Sequence, residues 1–546
     1  MRVRKIIFDN YRCYRERQEI ELSAGLTQIL GENNAGKSSI IAALQAATRT
    51  SQYLPPQAER FRPDREAEVL VEIEFDEEDD STIRMEMWRQ VAAVERKSGR
   101  PLAEEISSKF SGMFCGEAVF PPKTNESEIR IRHSDGYHVY LGRTAIRFNG
   151  GEAVADTVHL AKAFRRTDSA EDLRASSGAF ALGQDPRQWL NGVLMNAFVV
   201  LGEIRKRPET VAVDDGKGVR DALDGGALAT LLYNLANGLR PGRQRLEAVE
   251  KEFSHFFPDL QFETMGSQGT PAQLMFYRAG SETPIPHQRI GMGVVEVLTI
   301  LANLAHHEGK VLVLEEPGLH LHPQAQRRLR RTIRDAAERN QVLLITHDPG
   351  LIEESSLRFL YRIAPSVEGS SICRALVPET PGEQVMFERR FADPRYRELP
   401  FARAALLVEG PTETAFLCGI APRIGMDLDA AGVSVIDVSG QSNYAPWIRF
   451  LEGLQIPYLC QRDQEGGGAP QQYLDRFRYW GAEFEELMVS AGQRELMESI
   501  QAEVGEGSKP RMAAVLAERI DEQAIPEIAR EILREVCDLA AGGREP

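Results

Sequence analysis

The sequence predicts an α/β protein of at least two domains, and three observations carry that expectation. A glycine-rich turn, Gly31-Glu-Asn-Asn-Ala-Gly36-Lys37-Ser38, lies between an apolar run ending at Leu30 and a helical run opening at Ser39. Short apolar runs at Val311–Leu314 and Val342–Ile345 end in charged turns, as buried parallel strands do. A fresh strand, turn and helix pattern then runs from Ala404 to Ile420, and 546 residues exceed what one core holds.

The elements follow in order. Ile6–Phe8, Glu19–Leu22 and Thr27–Leu30 read as strands and Ser39–Ala47 as a helix. Val69–Phe75 and Thr82–Trp88 alternate or run apolar, as strands do. From Gln90 to Phe276 no segment carries a chemical signature. Within it, Ile129–Phe148 reads as a hairpin with turns at Asp135-Gly136 and Asn149-Gly150. Gly226–Phe256 reads as helix, with Leu228, Leu231, Leu232, Leu235 and Leu239 at helical spacing. The expected organisation is a split first domain over residues 1–90 and 276–377, with a mainly helical insertion over 91–275 that is in part strands of that first domain and in part a helical dimerisation region. A linker over 378–400 and a second domain over 401–546, with a helical tail Ser508–Ala541, complete it.

Composition narrows the class. Hydrophobic residues at 42% and charged residues at 27% are ordinary for a water-soluble globular chain. The apolar run Val294–Ala305 contains Glu296 and reads as a buried helix, so no membrane association is expected. The opening Met1–Phe8 lacks the pattern of a signal peptide, and six scattered cysteines without a Cys-x-x-Cys pair fit a reducing cytoplasm. The net charge of -16 does not exclude nucleic acid, because phosphate binding depends on local patches. Arg327, Arg328, Arg330, Arg331 and Arg334 form one candidate patch, or equally a solvated helix face.

The chemistry concentrates in two places. Gly31 to Ser38 fits the P-loop pattern, and its flanking strand and helix are the context that pattern requires. Backbone N–H groups from Gly31, Asn33, Asn34, Ala35, Gly36 and Ser39 would face phosphate oxygens at a helix N-terminus. Lys37 would neutralise the β- and γ-phosphates of ATP, and the Ser38 hydroxyl would complete a Mg²⁺ shell. Glu315 would hold that Mg²⁺ through water, Glu316 would orient or deprotonate the attacking water, and His347 could contact the γ-phosphate. The second place is Glu409 after a strand with Glu413 one turn into a helix, a pair able to bind a divalent cation. A further strand, Pro457–Cys460, leads into Gln461-Arg462-Asp463.

These motifs together resemble an ABC-type ATPase of the RecF and SMC kind. The resemblance implies a signature segment, for which His287-Gln-Arg-Ile-Gly291-Met-Gly293 is placed correctly but carries Gly291 where Ser is usual. It also implies that Asn10-Tyr11-Arg12 touches nucleotide, and that ATP is hydrolysed across a homodimer or larger homo-oligomer. The C-terminal motifs resemble a Rossmann-like Toprim domain, whose pattern is a Glu after the first strand and Asp-x-Asp after a later one. ATPase, insertion and Toprim in this order resemble the OLD family of ATP-dependent endonucleases, the group that includes the Gabija defence nuclease. Membership implies metal-dependent cleavage of double-stranded DNA in anti-phage defence, with Mg²⁺ or alternatively Mn²⁺ or Ca²⁺ at the Toprim site, and a co-encoded partner such as a helicase. It also implies that Glu465 and Glu485 assist as metal ligands and that Lys509 stabilises charge on the scissile phosphate. The first Asp of Asp-x-Asp is Gln461 here, and a neutral amide is a weaker ligand for a hard cation. A sensor or scaffold with a non-cutting Toprim domain is therefore an alternative, and a RecF-like repair ATPase a more distant one.

Overall fold

The computed structural model describes residues 2–32, 35–48, 61–62, 68–74, 114–119, 128–133, 138–141, 146–147, 153–154, 198–202, 225–266, 272–366, 368–464, 471–505 and 508–542. Asn33, Asn34, Glu465, the expected strand Thr82–Trp88 and both expected hairpin turns lie outside the described residues. The chain forms two compact units, Met1–Ile29 with Asn33–Leu351, and Leu30–Glu32 with Ile352–Pro546.

The first unit combines an antiparallel ladder with a sheet whose central strands are parallel. β1 (Arg2–Asp9), β2 (Gln18–Glu21), β3 (Leu26–Gly31) and helix α1 (Lys37–Thr48) match the expected opening. β1 pairs with β2 and with β4 (Glu68–Glu74), and the antiparallel ladder continues through β5 (Phe114–Val119), β6 (Glu128–His133) and β7 (His138–Leu141). β8 (Ile146–Arg147) and β9 (Ala153–Val154) form a separate short pair. β10 (Phe198–Leu201), within residues 91–275, joins the sheet that carries the P-loop strand.

Two helices follow where one run was expected, α2 (Leu228–Asn237) and α3 (Arg240–Phe256). The break falls at Gly238-Leu239, because Pro241 in the first turn of α3 cannot donate to a continuing helix. Leu239 consequently leaves the buried stripe and is 85% exposed, while Leu228, Leu231, Leu232 and Leu235 stay buried. β11 (Leu260–Met265), β12 (Gln273–Arg278) and β13 (Ile285–Pro286) make a small antiparallel sheet. Helix α4 (Met292–His306), β14 (Val311–Glu315), α5 (Pro323–Ala336) and β15 (Gln341–Thr346) complete the unit. Strands β10, β14, β15 and β3 lie side by side in that order, with β10, β14 and β15 parallel, and their alternate residues pack on α2, α3 and α4. The carboxyl ends of β3, β14 and β15 therefore share one sheet edge, where ligands bind in such folds.

The second unit opens with a hairpin, β16 (Leu360–Ala364) and β17 (Ser371–Arg374). The linker expected over 378–400 is not one. Those residues form α6 (Pro381–Arg390) and α7 (Pro394–Glu398), and Phe387, Phe391, Tyr396 and Leu399 are buried in the unit's core. Pro381 and Pro394 mark helix starts, where a missing N–H costs nothing. The unit accordingly begins at Ile352, upstream of the boundary read from sequence.

β18 (Ala404–Val408), α8 (Pro411–Ile420), β19 (Val433–Asp437), α9 (Tyr444–Gly453), β20 (Tyr458–Arg462), β21 (Phe477–Tyr479), α10 (Phe484–Ser490) and α11 (Arg494–Val504) follow. The strands are parallel in the order β19-β18-β20-β21. Alternation along β18 feeds two layers. Leu406 and Val408 pack on α8 with the tail helices α12 (Lys509–Arg519) and α13 (Glu527–Gly542), whereas Ala405 and Leu407 pack on α6, α7 and α9. Among the described residues, no helix is long and apolar enough to cross a membrane.

Candidate nucleotide and metal sites

All six residues of β3 are buried, which fixes the point where the chain turns into the P-loop. Gly36 has φ +117, a conformation that L side chains rarely adopt. A Cβ there would lie 2.4 Å from Cys13 Sγ and 3.2 Å from the Tyr14 hydroxyl, so both the torsion and the space demand glycine. Tyr14 donates from its hydroxyl to the Gly36 carbonyl at 3.1 Å, and Ser39 N–H donates to the same oxygen at 3.0 Å. The Asn10–Tyr14 turn thus seats the loop from below. Asn10 and Arg12 both take left-handed torsions in it, and the Arg12 guanidinium sits 5.6 Å from the Tyr11 ring. Sequence reasoning singled out Arg12 and missed Cys13 and Tyr14, because the Gly36 contact is visible only once the turn closes.

Lys37 and Ser38 open α1 and face β14. Ser38 Oγ is 3.5 Å from Glu315 Oε1, the pair expected to share Mg²⁺. Lys37 Nζ is 3.3 Å from Glu316 Oε1 and 8% exposed. Glu316 has φ +45 and is held on all sides. Its Oε2 accepts from the Thr346 hydroxyl at 3.1 Å and from His347 N–H at 3.0 Å, and its Oε1 lies 2.8 Å from His347 Nδ1. Burial pushes the Glu316 carboxyl up, but the His347 contacts and the Lys37 charge outweigh it and leave the carboxyl below its ordinary range. The structure therefore brings Lys37, Ser38, Glu315, Glu316 and His347 together, with Glu316 ionised at neutral pH.

Gly291 caps α4, and a Cβ added there would meet nothing within 4 Å. The missing serine is thus not excluded by space. Gly293 is different, because a Cβ there would lie 2.7 Å from the His320 carbonyl oxygen. The same α4 sends Glu296, 2% exposed, to the turn after β14, where it accepts from Gly318 N–H at 2.8 Å and meets His320 Nδ1 at 3.1 Å. Glu296 read as an ordinary helix residue in the sequence; here it ties α4 to the turn that follows Glu316. On α5, Arg328 is engaged bidentately by Glu252 at 3.1 and 3.2 Å, and Arg334 pairs with Asp335, so the expected basic patch is partly neutralised.

In the second unit, Glu409 follows β18, Glu413 lies in the first turn of α8 and Asp463 follows β20. These positions share the carboxyl edge of a parallel sheet. Burial pushes the Glu413 carboxyl up to about 7, with repulsion from Asp463 and Glu409 adding to it. Burial likewise raises Asp463 to about 6, followed by repulsion from Glu409, Glu483 and Glu485. Glu409 Oε2 is buried without a hydrogen-bond partner. Gln461 is wholly buried, donates from Nε2 to Asp463 Oδ1 at 3.2 Å, and leaves its own Oε1 unpartnered. Glu485 lies in α10 (Phe484–Ser490), and Lys509 Nζ meets its Oε1 at 2.7 Å. Among the described residues, no three His, Cys, Asp or Glu side chains are already gathered to hold an ion. The donor set still suits a hard cation, since Glu409, Glu413 and Asp463 present oxygens alone and Glu409 Oε2 is buried without a hydrogen-bond partner.

Two contributions here escaped sequence reasoning. Arg462 is wholly buried between Gln461 and Asp463, lies over the rings of Tyr444 and Phe477, and donates to Gln441 Oε1 at 2.9 Å. It ties the end of β20 to the loop after β19. At the end of β19, Asp437 accepts from the Ser439 hydroxyl at 2.6 Å and from the Tyr396 hydroxyl at 3.1 Å. Tyr396 was assigned to the supposed linker, which hid its role.

Two family models match the chain. The family model described as "AAA domain, putative AbiEii toxin, Type IV TA system" matches residues 26–353. The model described as "Overcoming lysogenization defect protein-like, TOPRIM domain" matches residues 401–464. The chain belongs to this AAA family, and residues 401–464 match the OLD-like Toprim domain. Two similar relatives are an OLD nuclease of Thermus scotoductus, 25% identical over 236 residues, and the Old nuclease of Escherichia phage P2, 22% identical over 248 residues. The first match covers 41% of this chain and 43% of that protein, the second 39% and 42%. The chain thus spans less than half the length of these relatives. Among solved structures, an SMC head domain from Thermotoga maritima is 15% identical, covering 69% of this chain and 100% of that one with a TM-score of 0.34. The C-terminal region of the Xanthomonas campestris pv. campestris OLD protein is 23% identical, covering 26% and 96% with a TM-score of 0.23. The chain carries an AAA-type P-loop ATPase domain followed by a Toprim domain.

Proposed function

We infer that the protein is an ATP-regulated, divalent-metal-dependent DNA endonuclease. The observation that carries this reading is the edge formed by Glu409, Glu413 and Asp463, where buried carboxylates repel one another and one oxygen has no partner. Such an arrangement costs stability unless a cation completes it. These three side chains would hold Mg²⁺ or Mn²⁺, which supplies Lewis-acid activation of water and of the phosphate. Lys509, held by Glu485, offers an ammonium to a phosphate oxygen. At the other site, Glu316 is poised to take a proton from water beside a γ-phosphate bound by Lys37, and Ser38 with Glu315 would hold its Mg²⁺. Double-stranded DNA, a homo-oligomer, a co-encoded partner and a role in anti-phage defence follow from the family resemblance.

Gln461 favours a second reading, an ATP-driven sensor whose Toprim domain binds without cutting. Plasmid cleavage separates the two. Supercoiled DNA with Mg²⁺ or Mn²⁺, with and without ATP, should be nicked or linearised by the wild type and spared by Asp463→Ala. Intact plasmid under every condition, including with a co-encoded partner, rules out the nuclease reading.

A further inference from the structure

The chain turns sharply as it leaves β14. Glu316 has φ +45 and Gly318 has φ +89, with buried Pro317 between them. A left-handed torsion at a residue with a side chain is strained and persists only where its surroundings hold it. The Glu316 carboxylate is held by Lys37, Thr346 and His347. Its N–H donates to the Ile345 carbonyl at 2.8 Å, which fixes the entry to the turn. The exit is held from α4.

Glu296, 2% exposed, lies on α4 three residues beyond Gly293 and so on the same helix face. Its Oε1 accepts from Gly318 N–H at 2.8 Å, and its Oε2 meets His320 Nδ1 at 3.1 Å. At Gly293 a Cβ would lie 2.7 Å from the His320 carbonyl oxygen, so the first turn of α4 rests directly on the same backbone. Pro317 has no N–H, which makes the Gly318 N–H the first backbone donor after Glu316. Gly318 is buried, so that donor needs a partner inside the protein, and Glu296 is the one it finds. The neighbours of Glu296 on α4, Val295, Val297 and Leu298, are wholly buried and apolar. A leucine at position 296 would serve their packing, and burying a carboxyl there costs stability. What the carboxyl adds is its hold on the turn.

We propose that Glu296 is a positioning residue for ATP hydrolysis, which grips Gly318 and His320 and thereby keeps Glu316 aimed at the attacking water. The inference rests on the reading of Glu316 as the group that takes the proton. Glu296 acts only through the turn, so it governs the chemical step and leaves the affinity for ATP alone.

The test measures kcat and KM for ATP, together with affinity for a fluorescent ATP analogue, in the full chain. Glu296→Leu keeps the bulk and removes both contacts, whereas Glu296→Gln keeps an oxygen for Gly318 N–H and an NH₂ for the imidazole. Glu296→Leu should lower kcat roughly 10–100-fold, the effect of a base displaced by about 1 Å or less, at unchanged ATP affinity. Glu296→Gln should turn over within about threefold of wild type. In a Glu316→Gln background, Glu296→Leu should add little, because both changes act on one step. Normal turnover in Glu296→Leu, with Glu316→Gln slow, overturns the positioning role and leaves the base standing. Glu296→Gln as slow as Glu296→Leu overturns the hydrogen-bonding role. An equal loss in both backgrounds, or a matching loss of ATP affinity, marks a general structural defect and overturns the proposal too. Glu316→Gln as fast as wild type overturns the base and the proposal together. Should Glu296→Leu fail to fold, His320→Ala takes its place: a loss of roughly 2–10-fold in kcat, the worth of one net hydrogen bond, is expected at unchanged ATP affinity, and full turnover overturns the proposal.

Discussion

Replacing Glu316 by Gln isolates the charge at the ATP site while keeping its shape. Glu316 Oε2 accepts from Thr346 and from His347 N–H, and an amide oxygen can keep both contacts. Oε1 faces Lys37 Nζ at 3.3 Å and His347 Nδ1 at 2.8 Å, and there the substitution puts an NH₂ group against an ammonium. The loss is one charge-assisted contact in a nearly buried place, about 1.5–3 kcal/mol of folding stability. Loss of the base should lower kcat for ATP roughly 10²–10⁴-fold. ATP affinity should hold or improve, because Lys37 is released from its carboxylate and left for phosphate. Phosphate release measures the first effect, and titration with a fluorescent ATP analogue measures the second. Turnover within about threefold of wild type, a barrier change under 1 kcal/mol, would remove Glu316 from the reaction.

Three further outcomes are expected. Gly36→Ala combines a torsion costing about 1–3 kcal/mol with overpacking against Cys13 of about 1–3 kcal/mol; adding Cys13→Ala should recover only the second part in a chemical denaturation cycle. Glu413 and Asp463 sit near 7 and 6 in the folded chain, above their ordinary values, so the folded state binds the extra protons between. Metal-free stability should therefore fall as pH rises from the ordinary carboxylate range through these values, and Mn²⁺ should raise Tm more at alkaline than at acidic pH. Gly291→Ser has open space for its side chain, so it should leave Tm unchanged and raise ATP turnover roughly 2–10-fold, the worth of one net hydrogen bond. Unchanged turnover in a folded, oligomeric Gly291→Ser protein would show that this position does not act on nucleotide.

Local chemistry was legible in the sequence wherever a motif ties residue type to backbone position. Gly36, Lys37, Glu315, Glu316 and His347 follow from strand ends and turn residues alone, and the structure brings the described ones to one sheet edge. What stayed hidden depends on contacts between segments distant in sequence. Glu296 looks like any acid on a helix until the turn after β14 closes on it through Gly318. Arg462 looks like a surface charge, yet two aromatic rings from α9 and β21 make a fully buried place for it. Residues 378–400 carry prolines and charges that read as a linker, because helix starts and loops share those residues. The buried Phe387, Phe391 and Tyr396 among them find their partners on α9, more than a strand and a helix away.

The central claim is that one chain holds an ATP site and a separate phosphodiester-cutting site, the first governing the second. Its most direct test is the initial rate of plasmid cleavage with and without ATP, in wild type and in Lys37→Ala. ATP should change the wild-type rate, while Lys37→Ala should still cut at a rate that ATP does not alter. A wild-type rate indifferent to ATP, or a Lys37→Ala rate that responds to ATP as wild type does, would contradict the claim.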